Sequence, residues 1–552
     1  MSSDVVSTEV AKEVPSPPAT SSIVEETGDR SGSLLPEQRA NNNTTYTEGS
    51  DHHEPPNPAE VLMSILGPAY ASPSCPTAIF YVETIGIILL AALTALFSLA
   101  YNNVIYIASS KWMTNDVEKL AVFFGGEPYW IAIGAGTGMV VGVLKAYVFK
   151  FDTYVGFIEL LQELDADVKE SISMAVVGLV SLMGGAVVGP ESGLAGVGGL
   201  LGKLSVKPIN ALCRRALGNA ITDDELSSAV EIKRRKLFIL SAIVSAFATM
   251  LPTPASAVMF CIELMGAARF VGAHGFVYTG TIVQLGLAGT VSNLIYTAVE
   301  DYTLIKAAAP IPGYKHETLM WKNTGVAILF AVCTPFCLVV PYFCFAGIVK
   351  LTKVKLKAYI DAKFGDKVRI VLMATIGGLF YGIVGYIIPL TPGDGSYQMP
   401  AVLQTGYEIE PSVLVVSAYG KMFTYWISTE FGFVGGIFHP ILMISLLFGR
   451  MVINQTNVDE MLGSALSFII LAAAFTPLPF AMFLLDLAVF NLKASDQVSL
   501  FLAIVIVHLM TTGLGLPQKF CSFALSRGQG TENEINDSIG DAGASEKDSS
   551  KA

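Results

Sequence analysis

Gly435-Gly436-Ile437-Phe438-His439-Pro440 leads without a break into the apolar run Ile441–Phe448. Glycines let a chain approach at irregular angles, and proline is favoured in the first turn of a helix, where its missing N–H is no loss. The spacing therefore predicts a helix that begins at this motif. A helix start leaves several N–H groups unpaired and gathers partial positive charge, so it attracts an anion without any formal cation. Working outward, Gly184-Gly-Ala-Val-Val-Gly-Pro190 carries the same punctuation, with Glu191 next, and predicts a second helix start. A lone Gly-Pro pair reads as a kink in a packed helix. Two matched pairs at equivalent places in a duplicated chain read as a site.

The duplication extends beyond these motifs. Aligning Pro190 with Pro440 sets an offset of 250; Thr253-Pro254 pairs with Thr476-Pro477 at 223, bringing Phe260/Phe483 and Glu263/Asp486 together. Upstream, Gly138 and Gly142 pair with Gly378 and Gly382 at an offset of 240. Three segments recur in the same order, which chance likeness between apolar stretches does not produce.

Composition supplies the solvent. Of 552 residues, 52% are hydrophobic and 14% charged, against about 25% charged in an ordinary soluble domain. The apolar residues run almost unbroken from about residue 84 to 514, which excludes the common soluble enzymes and predicts an all-α, multi-pass membrane protein in a lipid bilayer. Stretches such as 84–108, 130–150, 323–349 and 496–514 are long enough to cross, a span needing about 20 apolar residues. Others are broken at Gly189–Pro190, Pro252/Pro254, Pro440 and Pro477/Pro479. Broken helices survive in lipid only where protein or a polar cavity surrounds them, and matched breaks in two halves point to a transport site.

The whole net charge of −12 sits in the two tails, 1–60 and 528–552. The expected organisation is an acidic tail unable to fold alone over 1–77, a first repeat over 78–300, a linker over 301–321, a second repeat over 322–527 and an acidic tail over 528–552. The N-terminus lacks the basic start and apolar core of a secretory signal. Basic residues fall in two groups, Arg214 to Lys236 and Lys350 to Arg369, read as two cytoplasmic loops, with the tails on the same side. An acidic chain offers nothing to phosphate backbones, so nucleic acid is not an expected partner. Seven scattered cysteines and the histidines His274, His316 and His508 show no disulfide framework, metal-ligand spacing or catalytic triad. No metal or cofactor is expected, nor enzymatic activity.

These segments resemble the CLC family of chloride channels and proton-coupled chloride exchangers. The family's GxFxP motif is matched by Gly436-Ile-Phe-His-Pro440, and its G(K/R)EGP motif partly by Ala186-Val-Val-Gly-Pro190. A later segment, Leu251 through Glu263, keeps Pro254, Phe260 and Glu263, and Ala474-Phe-Thr-Pro-Leu478 resembles its second-half counterpart. The likeness covers about 84–527. It implies a duplicated inverted repeat with re-entrant helices, and a homodimer in which each subunit has its own path for chloride and other small anions.

The departures bear on mechanism. The family's gating glutamate falls on Val188 and its internal proton-relay glutamate on Leu264. With both apolar, the resemblance implies a passive channel in the first place; a chloride/proton exchanger using acids such as Glu191, or an unrelated organic-anion transporter, is the alternative. The family's anion-binding serine falls on Val155, and its tyrosine on Phe520, unless Tyr154 supplies the phenol by a one-residue shift. The anion would then rest on the amides of Ile437 and Phe438, joined by Val188 and Gly189. Glu191 reads as a first-turn acid on its own helix or as a displaced gate. His439 reads as a position whose backbone matters, with a pH sensor as the rival. Glu263 and Asp486 read as structural acids at helix ends, although intramembrane acids are often functional.

Overall fold

The computed structural model describes residues 76–114, 116–151, 156–217, 228–251, 253–268, 279–299, 320–456, 458–490 and 492–516. Among them are eighteen α-helices and no strand beyond a single two-residue bridge. The first half holds α1 (Pro76–Trp112), α2 (Val117–Leu120), α3 (Tyr129–Val143), α4 (Phe157–Glu163), α5 (Val168–Met183), α6 (Glu191–Leu217), α7 (Ser228–Ala248), α8 (Pro254–Ala268) and α9 (Thr279–Val299). The second holds α10 (Met320–Thr334), α11 (Val340–Asp361), α12 (Asp366–Ile387), α13 (Met399–Thr405), α14 (Pro411–Glu430), α15 (Phe438–Gln455), α16 (Glu460–Phe475), α17 (Pro479–Val489) and α18 (Ala494–Gly513). Pro76 and Met320 thus open helices just outside the expected repeat boundaries.

Among the described residues, six stretches are long and apolar enough to cross a membrane: 80–112, 129–149, 280–299, 322–361, 366–387 and 494–513. Their outer faces stay apolar where no protein covers them, as Leu89, Leu93, Leu96 and Phe97 do along α1. One shorter apolar helix lies wholly inside. All fifteen residues of α16 from Met461 to Phe475 are buried, which is how a helix apolar on every side must sit.

Glycines settle the symmetry. α3 and α12 lie against each other so closely that a methyl group on Gly134 would collide with the carbonyl of Gly378, one on Gly138 with that of Ala374, one on Gly142 with Val371 and one on Gly382 with Ile131. Residue numbers rise on one helix as they fall on the other, so the pair is antiparallel. Adding 240 to one member and subtracting it from the other turns each contact into another of the set, 134–378 into 138–374 and 142–371 into 131–382. A two-fold axis therefore runs through this interface, and the halves are inverted.

At the motifs the register differs from the expected one. α5 and α14 end at Met183 and Glu430, Gly185 and Gly432 take positive φ (80° and 103°), and α6 and α15 begin at Glu191 and Phe438; each pair is 247 apart, not 250. Pro190 lies just before its helix, whereas Pro440 is the third residue of its own. Both positions are tolerated because the first turn's N–H groups have no partner within the helix. Pro479 rather than Pro477 opens α17, two residues after the position matched to Pro254.

The basic groups are mostly helical rather than loops: Lys236 lies on α7 and Lys350 to Lys357 on α11. Arg234 is buried, bonded to Glu83 of α1 and to Asn210 of α6 (3.2 Å), so it fastens three helices.

Candidate functional site

The two helix starts meet. Gly189 donates its N–H to the Gly436 carbonyl (2.7 Å) and Gly436 donates to the Gly189 carbonyl (2.8 Å), a reciprocal antiparallel bridge. Residues 189 and 436 are 247 apart, so the bridge lies on the local two-fold axis. Two serines brace it symmetrically: Ser428 accepts the N–H of Val187 (3.0 Å) and Ser181 that of Val434 (3.3 Å). Absence of a side chain is required here, because a methyl on Gly435 would run into Val188 and one on Gly436 into the Glu191 carboxylate.

Glu191 is fully buried and opens α6, yet its carboxylate turns across the bridge to the other helix. Its Oε1 accepts the backbone N–H of His439 (2.9 Å) and lies 2.6 Å from His439 Nδ1. A carboxylate oxygen accepts, so Nδ1 carries the hydrogen. The first-turn acid expected to serve α6 thus sits at the positive end of α15, the geometry that favours negative charge. His439 is correspondingly not a backbone-only position: its ring is fully buried and half-committed to Glu191, and its Nε2 finds no partner among the described residues.

Of the amides expected to face an anion, those of Val188 and Gly189 are already donated, to Ala186 (2.9 Å) and Gly436. Those of Ile437 and Phe438 make no hydrogen bond among the described residues. Under the 247 register Val188 and Gly189 correspond to Gly435 and Gly436, and Ile437 to Pro190, so the first repeat has no N–H to set beside that of Ile437.

Phe438 is buried against Phe260 of α8 (5.1 Å, edge-on), which meets Phe247 of α7, which in turn meets Phe157 of α4. A chain of edge-on rings thus links α15, α8, α7 and α4. Val188 is buried against Gly435, and Leu264 is buried on α8. Tyr154, Val155 and Phe520 lie outside the described residues.

The two intramembrane acids diverge. Glu263 accepts from Phe480 N–H (3.0 Å) and Ala481 N–H (2.8 Å), capping α17 across the repeat boundary. Asp486 lies mid-helix, fully buried, with neither oxygen bonded among the described residues. The structural reading fits the first and not the second.

Two groups escape a sequence reading. Lys421, buried in α14, donates to the carbonyls of Thr391 and Gly393 (both 3.0 Å) and leans on those of Leu390 and Pro392 (both 3.4 Å). It clamps the segment after α12, whose Gly393 N–H reaches the Gly185 carbonyl (2.9 Å) beside the first motif. Tyr101 of α1 points its hydroxyl at the first turn of α6, between Gly178 and Gly193. A lysine lone in an apolar run was the available signal for the first; nothing local marks the second.

A family model described as voltage gated chloride channel matches residues 157–514. Among characterised proteins, the chain is 23% identical over 276 residues to an H(+)/Cl(-) exchange transporter ClcA of Vibrio campbellii, covering 49% of this chain and 50% of that one. A ClcA transporter of Vibrio parahaemolyticus is 22% identical over the same length. The chain thus spans about half the length of the curated relatives it matches. Among solved structures it is similar to a slow cyanobacterial Cl-/H+ antiporter (TM-score 0.60, 16% identity, 82% of this chain and 99% of that one). It is similar also to a eukaryotic CLC transporter (TM-score 0.53, 14% identity, 81% and 73%). At these identities the structures share the fold.

Proposed function

Since the chain belongs to the voltage gated chloride channel family, we propose that it carries chloride across the membrane in exchange for protons, with Glu191 as the mobile carboxylate. One observation carries this reading. A buried carboxylate occupies the N-terminus of α15, bonded to His439 N and Nδ1, next to the unpaired amides of Ile437 and Phe438. A carboxylate and a chloride ion want the same helix end, so only one holds it at a time. Protonation removes the negative charge that ties Glu191 there, and the vacated His439 amide, beside the unpaired ones of Ile437 and Phe438, then takes the anion. Proton uptake and anion entry become one event. The names of the relatives support the same reading, two of them being proton–chloride exchange transporters. Each subunit would work alone within a homodimer.

A passive channel is the second reading. It is favoured by Leu264, which is apolar and buried where the resemblance places the internal proton relay. Purified protein in sealed vesicles separates the two. Exchange requires that an outward chloride gradient drive protons inward against their own gradient, followed with a pH electrode in weakly buffered medium. Chloride movement with no coupled proton movement leaves the channel reading standing and sinks exchange. Absence of any anion movement sinks both.

A further inference from the structure

Resting on the anion site just proposed, we propose that the Tyr101 phenol is a further ligand of the transported anion, donating its O–H at the start of α6. Tyr101 is 7% exposed, and its hydroxyl has no hydrogen-bond partner among the described residues. A buried, unsatisfied hydroxyl costs about as much as a lost hydrogen bond and calls for an explanation. The fold makes room for it deliberately. A methyl on Gly193, in the first turn of α6, would overlap the phenol oxygen, and one on Gly178 of α5 would come within 3.2 Å. Two glycines on two helices thus leave a slot that holds the hydroxyl end of the ring.

The slot opens on the charge of the site. The phenol lies against Gly193, two residues after Glu191, and the Glu191 Oε2 is a buried oxygen that also lacks a partner among the described residues. A donor lacking an acceptor and an acceptor lacking a donor thus both belong to the first turn of a 27-residue helix, one against Gly193 and one on Glu191. While Glu191 holds the site, the phenol has an incomplete set of bonds. When the carboxylate leaves, an anion lodged between the α15 amides and the start of α6 receives the O–H directly. A hydroxyl donor favours small, charge-dense anions over large, diffuse ones, so Tyr101 also sets selectivity.

Tyr101→Phe removes the O–H and leaves the ring in its slot. The experiment measures chloride and thiocyanate uptake into vesicles, and chloride binding by calorimetry in detergent, for the wild type and Tyr101→Phe. Loss of a hydrogen bond to a charged group predicts about a tenfold weaker apparent affinity for chloride. Thiocyanate affinity should change little, so the chloride preference falls while the melting temperature holds. Equal loss for both anions, or loss accompanied by a lowered melting temperature, assigns Tyr101 a structural role and overturns the proposal. So does wild-type affinity and selectivity in the variant. A wild-type protein that neither binds nor moves chloride fails at the site itself, an outcome distinct from failure of Tyr101 alone.

Discussion

Replacing Glu191 by glutamine changes one atom type in the centre of the molecule. In the wild type a single carboxylate oxygen takes hydrogens from His439 N and Nδ1 (2.9 and 2.6 Å). Hydrogen bonds to charged groups contribute about 1.5–3 kcal/mol each against about 0.5–1.5 for neutral ones, so two of them weaken by about 2–3 kcal/mol together. The helix end withdraws about 0.5–1 kcal/mol more when the charge is gone. Relief of the desolvation borne by a buried carboxylate offsets part of this. A net of about 2 kcal/mol is about thirtyfold in the ratio of vacated to occupied site. Chloride titrated into the purified Glu191→Gln protein should therefore bind about tenfold to thirtyfold more tightly than into the wild type at neutral pH. In vesicles the variant should move chloride without protons. Unchanged affinity, or proton coupling that survives the substitution, would refute the argument.

Other substitutions separate scaffold from site. Glu263→Gln keeps one of two accepting oxygens at the start of α17 and should lower stability by about 1 kcal/mol, read as a modest fall in melting temperature, with proton coupling intact. Arg234→Met removes the arginine bonded to the buried Glu83 carboxylate and should lower stability by about 3 kcal/mol, whereas Arg234→Met with Glu83→Met should recover part of it in the same thermal assay. Gly134→Val drives a side chain into the Gly378 carbonyl at the α3–α12 interface, and should lose about 3 kcal/mol or fail to yield folded protein by size-exclusion chromatography.

Much of this architecture could be read from punctuation. Glycine and proline mark helix starts wherever they stand, which is why the breaks near 190, 254, 440 and 479 fall where helices begin. Proline is a poor ruler, however. It fits just before the first residue in one repeat and at the third in the other, so aligning Pro190 with Pro440 misplaces the register by three residues. With the register moved, Glu191 stands opposite Phe438, and its reach to the other helix follows. A carboxylate one residue past a proline looks like the cap of its own helix in any linear reading. Which of two opposed helix ends it serves is decided by the bridge between Gly189 and Gly436, a contact between residues 247 positions apart. Tyr101 is illegible for the same reason, and Lys421 shows only as a lone lysine: both lie in apolar helices, and their surroundings come from elements far along the chain.

The reciprocal bridge also restricts how the molecule moves. It joins the repeats at their axis through main-chain atoms alone, flanked by the bonds from Ser181 and Ser428. Rocking one half against the other would have to break both main-chain bonds of that central rivet between two buried residues. Opening and closing are therefore left to individual side chains swinging past a stationary frame, and mutations that tune the gate need not disturb the hinge-free body that carries it.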